Sequence, residues 1–164
     1  MSLEVELKAP IKDGRKKAQS IGAKHVRDEI NIDTYYTHPC RDFRKTDEAL
    51  RLRQKEDMLY ITYKGPKKDS DLKARKEIEF QVPEEVRELL ESLGFKKSFT
   101  ISKKRGIYTL DGLTICCDLV NGLGEYVEVE SDTTSDHDKI LDIMQRLGVK
   151  ESATTKTYSE LLNL

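Results

Sequence analysis

The sequence has no tryptophan, four prolines and only three cysteines among its 164 residues. The cysteines, Cys40, Cys116 and Cys117, are odd in number and show no CxxC or zinc-ligand spacing, which argues against a disulfide framework and a cysteine zinc site. Reduced thiols are typical of cytoplasmic proteins, so we expect a cytoplasmic location. No apolar run is as long as a membrane-spanning helix, and we expect no membrane partner.

The chain also has almost no net charge, because 29 Lys and Arg residues oppose 30 Asp and Glu residues. A nucleic-acid binder would be basic overall, so we expect no nucleic-acid partner, although this balance does not exclude a local cationic pocket. Charged residues nevertheless form 36% of the chain, against about a quarter in typical proteins. The length suits one domain, which we expect to cover residues 1–164.

Three segments have the pattern of helices: Lys12 to Ile21, Pro83 to Leu93 and Ser135 to Leu147. Each one ends in an apolar-Gly-apolar-Lys sequence, and the glycine fits a left-handed helix stop. The tail from Tyr158 to Leu164 could form a final helical turn. The recurring order of helix, glycine stop and strands indicates a weak internal repeat, which either duplication or a shared helix-to-strand geometry would explain.

Much of the remaining chain alternates between apolar and polar residues with a period of two, as β-strands do. The segments are Ser2 to Ala9, Asn31 to Thr37, Ala49 to Gln54, Met58 to Lys64, Lys73 to Gln81, Thr100 to Leu110, Leu113 to Leu119 and Glu125 to Glu130. Eight antiparallel strands can close into a barrel. We therefore predict a mainly β fold, a closed eight-stranded antiparallel barrel with helices outside, and a mobile loop from Pro66 to Lys73.

One face of most predicted strands carries almost only full charges, and these charges are sorted by strand. Glu4 and Glu6 share a face of the first strand, whereas Arg51 and Arg53 share a face of another. A sheet with one wet face would explain any single strand, but it gains nothing from like charges two residues apart. If the sheet closes, the charged face becomes the lumen, where ligands must complete the site because unpaired buried charge is costly.

This sorting of charge suits a divalent metal ion together with a polyanion. Mg²⁺ and Mn²⁺ prefer carboxylate oxygens, and a triphosphate needs several Arg and Lys donors. Acidic strands on one wall and basic strands on the other would place the metal between carboxylate and phosphate. The chain has no P-loop and no nucleophile elbow, and its three histidines are scattered. The charged lumen is therefore the predicted site.

The sequence resembles the CYTH superfamily, whose members are also called triphosphate tunnel metalloenzymes. The N-terminal ExExK hallmark of that family is present as Glu4-Val5-Glu6-Leu7-Lys8, and the other landmarks follow in order over essentially the whole chain. These are Arg51-Leu52-Arg53, Lys64, Glu77-Ile78-Glu79, Lys103-Lys104-Arg105, Asp118, Glu128-Val129-Glu130 and Lys156. The family fold is an eight-stranded tunnel, which agrees with the barrel predicted from the alternation.

The resemblance implies roles for these residues. The implied metal ligands, for Mg²⁺ or Mn²⁺, are Glu4, Glu6, Asp118, Glu128 and Glu130. The implied triphosphate-binding residues are Lys8, Arg51, Arg53, Lys64, Lys103, Arg105 and Lys156. Glu77 and Glu79 match further acidic tunnel positions, and Glu4, Glu6 and Lys8 are the implied catalytic residues. Alternation with Arg105 favours Lys103 over Lys104 as the inward-facing lysine.

The resemblance implies a small-molecule triphosphate substrate, ATP or similar, and leaves the reaction open. In a class IV adenylyl cyclase the 3′-hydroxyl of ATP attacks the α-phosphorus and pyrophosphate leaves. In a triphosphatase, water attacks the terminal phosphorus of thiamine triphosphate, a nucleoside triphosphate or tripolyphosphate. The opening motif, the Asp33-Thr34-Tyr35-Tyr36 stretch and the compact length favour the cyclase subgroup.

Three alternatives stay open at this point. A non-catalytic triphosphate or polyphosphate sensor would need only cations, so the carboxylates argue against it. An RNA 5′-triphosphatase is disfavoured because the chain lacks a broad basic surface. A homodimer is compatible with the sequence.

Of the adjacent Tyr35 and Tyr36, we expect one to pack in the fold, and the other could stack on a base.

Overall fold

The structure is a computed structural model that describes residues 2–67 and 73–164. Its strands are β1 (Ser2–Pro10), β2 (Lys24–Thr37), β3 (Ala49–Lys55), β4 (Met58–Lys64), β5 (Lys73–Val82), β6 (Lys96–Leu110), β7 (Leu113–Val120) and β8 (Gly124–Ser131). Its α-helices are α1 (Gly14–Ser20), α2 (Val86–Ser92), α3 (His137–Arg146) and α4 (Tyr158–Leu161), with short 3₁₀ turns at Thr134–Asp136 and Lys150–Ser152. The loop predicted from Pro66 to Lys73 lies mostly outside the described residues.

The eight strands close into an antiparallel barrel in the order β1-β5-β4-β3-β2-β6-β7-β8, which confirms the predicted fold. Closure depends on β1, which pairs with β5 on one side and with β8 on the other. The long ribbon of β2 and β6 joins the two halves of the barrel. Every strand of the ring therefore has two neighbours, although the first half of β2 pairs only with β6 and the first half of β6 pairs only with β2.

The predicted strands agree with the observed ones within one residue, except for two early starts. β2 begins at Lys24 rather than Asn31, and β6 begins at Lys96 rather than Thr100. The side chains from Lys24 to Asp28 are exposed on both faces, so this part of β2 has no apolar alternation to detect. Its backbone pairing with the end of β6, from Lys24 opposite Thr109 onward, holds it in the strand.

The predicted helix stops are confirmed. Gly22, Gly94 and Gly148 all have positive φ, between 75° and 93°, a region that glycine enters without steric cost. At the first stop the N–H of Ala23 donates to the carbonyl oxygen of Ala18 at 3.0 Å, which closes the helix end. The helices themselves are shorter than predicted by a few residues at their N-terminal ends.

The helices α1, α2 and α3 cover the apolar outside of the barrel in two separate groups. α1 and α3 pack on β1, β7 and β8 through residues such as Val5, Val127 and Ile140. α2 packs on the opposite side, where Val86 and Leu90 contact the outer faces of β2, β3 and β4. Each fully buried aliphatic side chain contributes about 1.5–3 kcal/mol, so the outer core stabilises a barrel whose interior is charged.

Two further expectations bear on the class of protein. All three cysteines are free, with Cys116 and Cys117 buried and Cys40 exposed. Among the described residues, no helix is both long and apolar enough to cross a membrane.

Candidate functional site

The barrel encloses a cavity of about 680 Å³, and every strand contributes residues to its wall. The charged faces predicted from the alternation point into this cavity. The sequence-predicted site residues that line it are Glu4, Glu6, Lys8, Arg51, Arg53, Lys64, Glu77, Glu79, Lys103, Arg105, Glu128 and Glu130. Two others, Asp118 and Lys156, do not line it. Lys103 is 5% exposed and Lys104 is exposed, as the alternation predicts.

Three glutamates from β1 and β8 come together on one wall. The register of the two strands sets Glu6 opposite Glu130, and Glu4 follows on the same face of β1. Each offers a carboxylate oxygen, and these oxygens lie within 4.8 Å of one another. Mg²⁺ holds its oxygen ligands at about 2.0–2.1 Å, so small rotations of these side chains would bring the three oxygens onto one ion. The three side chains therefore fit a Mg²⁺ or Mn²⁺ site.

The electrostatics of this acidic cluster point the same way. Withdrawal from water and the surrounding carboxylates raise the pKa of Glu130 to about 8. A carboxyl group whose ionisation is opposed in this way is stabilised as a carboxylate when a divalent cation arrives. This cluster thus differs from an ordinary acidic surface, where water and salt screen like charges.

Two lysines lie between the acidic and basic parts of the wall. The Lys8 ammonium is 2.9 Å from a Glu6 oxygen and 3.0 Å from a Glu128 oxygen. Burial alone would lower the pKa of Lys8, but these carboxylates raise it above its ordinary value. Lys64 contacts Glu4 and lies 2.8 Å from Glu77. Both lysines are therefore protonated, and Lys8 is placed as a cation rather than as a ready proton acceptor.

Carboxylates hold the arginines of the tunnel in place, and the contact of Arg53 is forked. Arg53 donates from Nε and Nη2 to the two oxygens of Asp33, at 2.7 and 2.6 Å. Arg51 donates to Glu79 at 3.1 Å and to the hydroxyl of Thr62 at 3.0 Å. These contacts fix the guanidinium planes while the cavity side stays open to a ligand. Fixed guanidinium groups suit bidentate recognition of phosphate.

Asp118 lies behind the basic wall rather than in the acidic cluster. Its register opposite Arg105 lets Arg105 donate to both carboxylate oxygens, at 2.7 and 2.6 Å. Lys103 Nζ is 3.2 Å away, and the Tyr158 hydroxyl donates to the same carboxylate at 2.8 Å. The side chain is 0% exposed. In this arrangement Asp118 orients the side chains of Arg105 and Lys103, whereas the resemblance implied that it binds the metal.

Lys156 is the predicted phosphate ligand that the structure leaves outside the tunnel. It is exposed, and it lies between two residues that are fixed by other contacts. Thr154 pairs with the backbone of Lys8, and Thr157 caps α4 with its side chain. These anchors leave the Lys156 side chain on the surface. The role implied for Lys156 stays a prediction.

Sequence reasoning did not assign a role to Asp33 or to Tyr158. Asp33 faces the lumen and orients Arg53. Alternation along the strand places Asp33 on the same face as Tyr35, and this could have identified it as an inward-facing carboxylate. Tyr158 inserts from α4, and the ammonium groups of Lys8 and Lys103 each lie 4.9 Å from its ring centroid. No periodicity marks Tyr158, because its position follows from how the C-terminal tail packs.

Comparisons with known proteins agree with this geometry. Residues 2–158 match the CYTH domain family. A protein of Methanocaldococcus jannaschii, provisionally named an adenylate cyclase, is 36% identical over an alignment of 174 residues that covers 99% of each chain. The structure of a Pyrococcus horikoshii protein superposes with a TM-score of 0.88 at 40% identity, covering 98% of both chains.

A more distant structural neighbour shares the fold alone. A Hippeastrum protein, provisionally named an adenylyl cyclase and showing a dominant triphosphatase activity, superposes with a TM-score of 0.65 at 16% identity. The alignment covers 91% of this chain and 89% of that one.

The family match spans nearly all of the sequence, from β1 to the start of α4. The chain therefore belongs to the CYTH domain family.

Proposed function

We propose that this CYTH protein is a divalent-metal-dependent enzyme that acts on a triphosphate inside its tunnel. The observation that carries the proposal is the three-carboxylate cluster, with oxygens within 4.8 Å of one another, in the same cavity as buried arginines. A cavity with cations alone would suit an anion-binding protein. The presence of both charge types in one lumen suits a metal and a polyanion bound together.

The residues divide the work between two walls. Glu4, Glu6 and Glu130 would hold Mg²⁺ or Mn²⁺, and when bound such an ion withdraws charge from phosphate oxygens. Arg51, Arg53 and the other buried cations would bind the remaining phosphate oxygens as charge develops on them. Because carboxylates already hold Arg51, Arg53 and Arg105 in place, these arginines need little reorganisation during the reaction.

Lys8 and Lys64 would change partners when the substrate binds. In the structure they neutralise tunnel carboxylates, with Lys8 between Glu6 and Glu128 and Lys64 between Glu4 and Glu77. A divalent ion would take over part of that neutralisation. The two ammonium groups could then turn to phosphate oxygens, which couples metal binding to substrate binding.

The reaction we favour is that of an adenylyl cyclase, in which the 3′-hydroxyl of ATP attacks the α-phosphorus. Support comes from the sequence likeness to the class IV subgroup and from the name of the Methanocaldococcus relative. Hydrolysis of the terminal phosphate of thiamine triphosphate, ATP or tripolyphosphate is the second candidate. The same tunnel would support this hydrolysis if the substrate bound in the opposite orientation along the tunnel axis. The Hippeastrum protein is an example in this fold of a protein with a cyclase name and a triphosphatase activity.

Product analysis separates these reactions. The purified protein would be incubated with ATP, thiamine triphosphate or tripolyphosphate in Mg²⁺ or Mn²⁺, and the products separated by chromatography. Cyclic AMP with pyrophosphate identifies the cyclase, and orthophosphate with a diphosphate identifies the triphosphatase. No turnover with any substrate would overturn the enzyme proposal and favour a triphosphate sensor.

Matched variants make the result specific to the tunnel. Glu4→Gln combined with Glu6→Gln should abolish turnover, because it removes two of the three clustered carboxylates. Glu88→Gln combined with Glu151→Gln changes the same number of charges at exposed positions outside the cavity. This control should retain the rate of the wild type.

A further inference from the structure

Four aromatic side chains lie together at one end of the tunnel, beside charged residues of the β2–β3 connection that include Arg44, Asp47 and Glu48. At this end, where β2 finishes and β3 and β6 begin, the cavity is lined by Tyr35, Tyr36, Phe43 and Phe99. We call these four residues the aromatic mouth. The other end, where β2 begins and β3 finishes, is lined by charged side chains that include Arg27, Glu29 and Lys55.

A flat apolar wall lies within the aromatic mouth. The rings of Tyr35 and Phe99 are stacked, with centroids 4.7 Å apart and planes 24° apart. Both residues are half-buried and line the cavity, so the pair is accessible from the tunnel. Stacked aromatic rings offer a surface on which another planar ring can stack.

This wall adjoins the basic part of the tunnel. Tyr35 is the cross-strand partner of Arg51, which is among the buried cations of the lumen. A ligand with phosphates on Arg51 would thus have its next group beside the ring of Tyr35. Arg53 follows Arg51 on the same face of β3, so a triphosphate bound to these two arginines would bring its organic end beside this aromatic wall.

Tyr36, which also lines this end of the cavity, is 3% exposed and has a buried hydroxyl group. Within residues 2–67 and 73–164 this hydroxyl has no hydrogen-bond partner. The ring packs with Leu50 and Phe43 in the outer core, which confirms that one of the two tyrosines packs. A buried hydroxyl without a partner is unfavourable, so a ligand group that hydrogen-bonds to it would gain affinity and orientation.

We propose that the aromatic mouth binds the planar heterocycle of the substrate, so that the protein prefers an organic triphosphate with an aromatic ring over inorganic tripolyphosphate. The ring stacks on the Tyr35–Phe99 pair, and a polar group of the ligand reaches the hydroxyl of Tyr36. This inference rests on the proposed triphosphate function and adds the part of the substrate that it leaves open. A purely structural role is the competing explanation, because Tyr35 and Phe99 also pack near Leu161 and Leu162.

The test is equilibrium binding of ATP, thiamine triphosphate and tripolyphosphate, measured by calorimetry in EDTA so that no ligand turns over. The measurement is repeated with Ca²⁺ in place of Mg²⁺, because the proposed function couples metal binding to substrate binding. The three ligands share the triphosphate, and only the first two carry a heterocycle. The variants are Tyr35→Leu, Phe99→Leu and Tyr36→Phe. Phe80→Leu is the control, because Phe80 is an aromatic residue that is 57% exposed and does not line the cavity.

We expect the wild type to bind at least one ring-bearing ligand more tightly than tripolyphosphate, and the tighter-binding of the two identifies the heterocycle. Tyr35→Leu and Phe99→Leu should each weaken the affinity for that ligand by about 5- to 160-fold, the range for lost base stacking. Tyr36→Phe should weaken it by a smaller factor. All three should change tripolyphosphate affinity by less than about twofold, and Phe80→Leu should change neither.

Three results would overturn the inference. If Tyr35→Leu and Phe99→Leu weaken all ligands equally, the rings act only through packing near Arg51. If they weaken none, the mouth does not bind the ring. In both cases the triphosphate site stands. If the wild type binds no triphosphate at all, with or without Ca²⁺, the proposed function fails and the ring subsite fails with it.

Discussion

The replacement Asp118→Asn separates two roles for a buried carboxylate. The family resemblance implies that Asp118 binds the metal, whereas the structure places it behind Arg105 and Lys103, with 0% exposure. Asparagine keeps the shape and one oxygen acceptor but removes the negative charge. The variant therefore leaves two buried cations short of their counter-charge while the Glu4, Glu6 and Glu130 cluster stays intact.

The magnitude follows from the contacts of Asp118. Its carboxylate accepts two hydrogen bonds from Arg105, one from Lys103 and one from the Tyr158 hydroxyl. Breaking a buried ion pair by neutralising one partner costs about 3–5 kcal/mol of unfolding free energy. For a domain of this length each kcal/mol lowers Tm by about 2–4 °C, so we expect a decrease of about 6–20 °C.

Two assays on the same samples give the answer. Calorimetric melting measures stability, and the electron paramagnetic resonance signal of free Mn²⁺ measures metal binding. We expect Asp118→Asn to melt early yet bind Mn²⁺ within about threefold of the wild type at a temperature where both are folded. Glu6→Gln, which removes a clustered carboxylate, should weaken Mn²⁺ binding much more. Loss of Mn²⁺ binding in Asp118→Asn equal to that in Glu6→Gln would refute the orienting role.

Three further predictions follow from the same geometry. Because the pKa of Glu130 is raised to about 8, its contribution to the stability of the metal-free protein is fully present below pH 4.5 and is lost as the pH rises through 8. Glu130→Gln should flatten this part of the curve of Tm against pH, measured in EDTA. A curve unchanged from that of the wild type would contradict the raised pKa of Glu130. Lys156→Ala should change tripolyphosphate affinity by less than about twofold, whereas Lys8→Ala should weaken it at least tenfold; equal losses in calorimetry would return Lys156 to the site. Arg53→Lys should lower the unfolding free energy by about 1–3 kcal/mol in urea, because lysine cannot reproduce the forked contact with Asp33; no loss would show that the fork is dispensable.

The fold was largely predictable because the barrel buries one face of nearly every strand against helices. Alternation in segments such as Val5 to Ala9 and Leu50 to Arg53 therefore appears directly in the sequence. The first half of β2 was missed because its side chains from Lys24 to Asp28 are exposed on both faces, while its backbone pairs with β6. Such a strand has no period-two burial to leave a signal.

The site was predictable as a set of inward charges, but not as a set of partners. The alternation of side chains along each strand shows that Glu6, Lys103 and Arg105 face inward, yet it does not show which charges pair across the tunnel. The partners depend on register between strands that are distant in sequence, as when β7 sets Asp118 opposite Arg105. Tyr158 depends on the path of the C-terminal tail, which has no periodic pattern.

The most direct test of the metal and triphosphate site is a crystal structure of the protein with MnCl₂ and tripolyphosphate, using anomalous scattering to locate manganese. The account predicts an anomalous peak in contact with oxygens of Glu4, Glu6 and Glu130, and a triphosphate on Arg51 and the other buried cations of the lumen. Manganese bound at Asp118, or a tunnel whose carboxylate–lysine pairs persist with both ligands bound elsewhere, would contradict it.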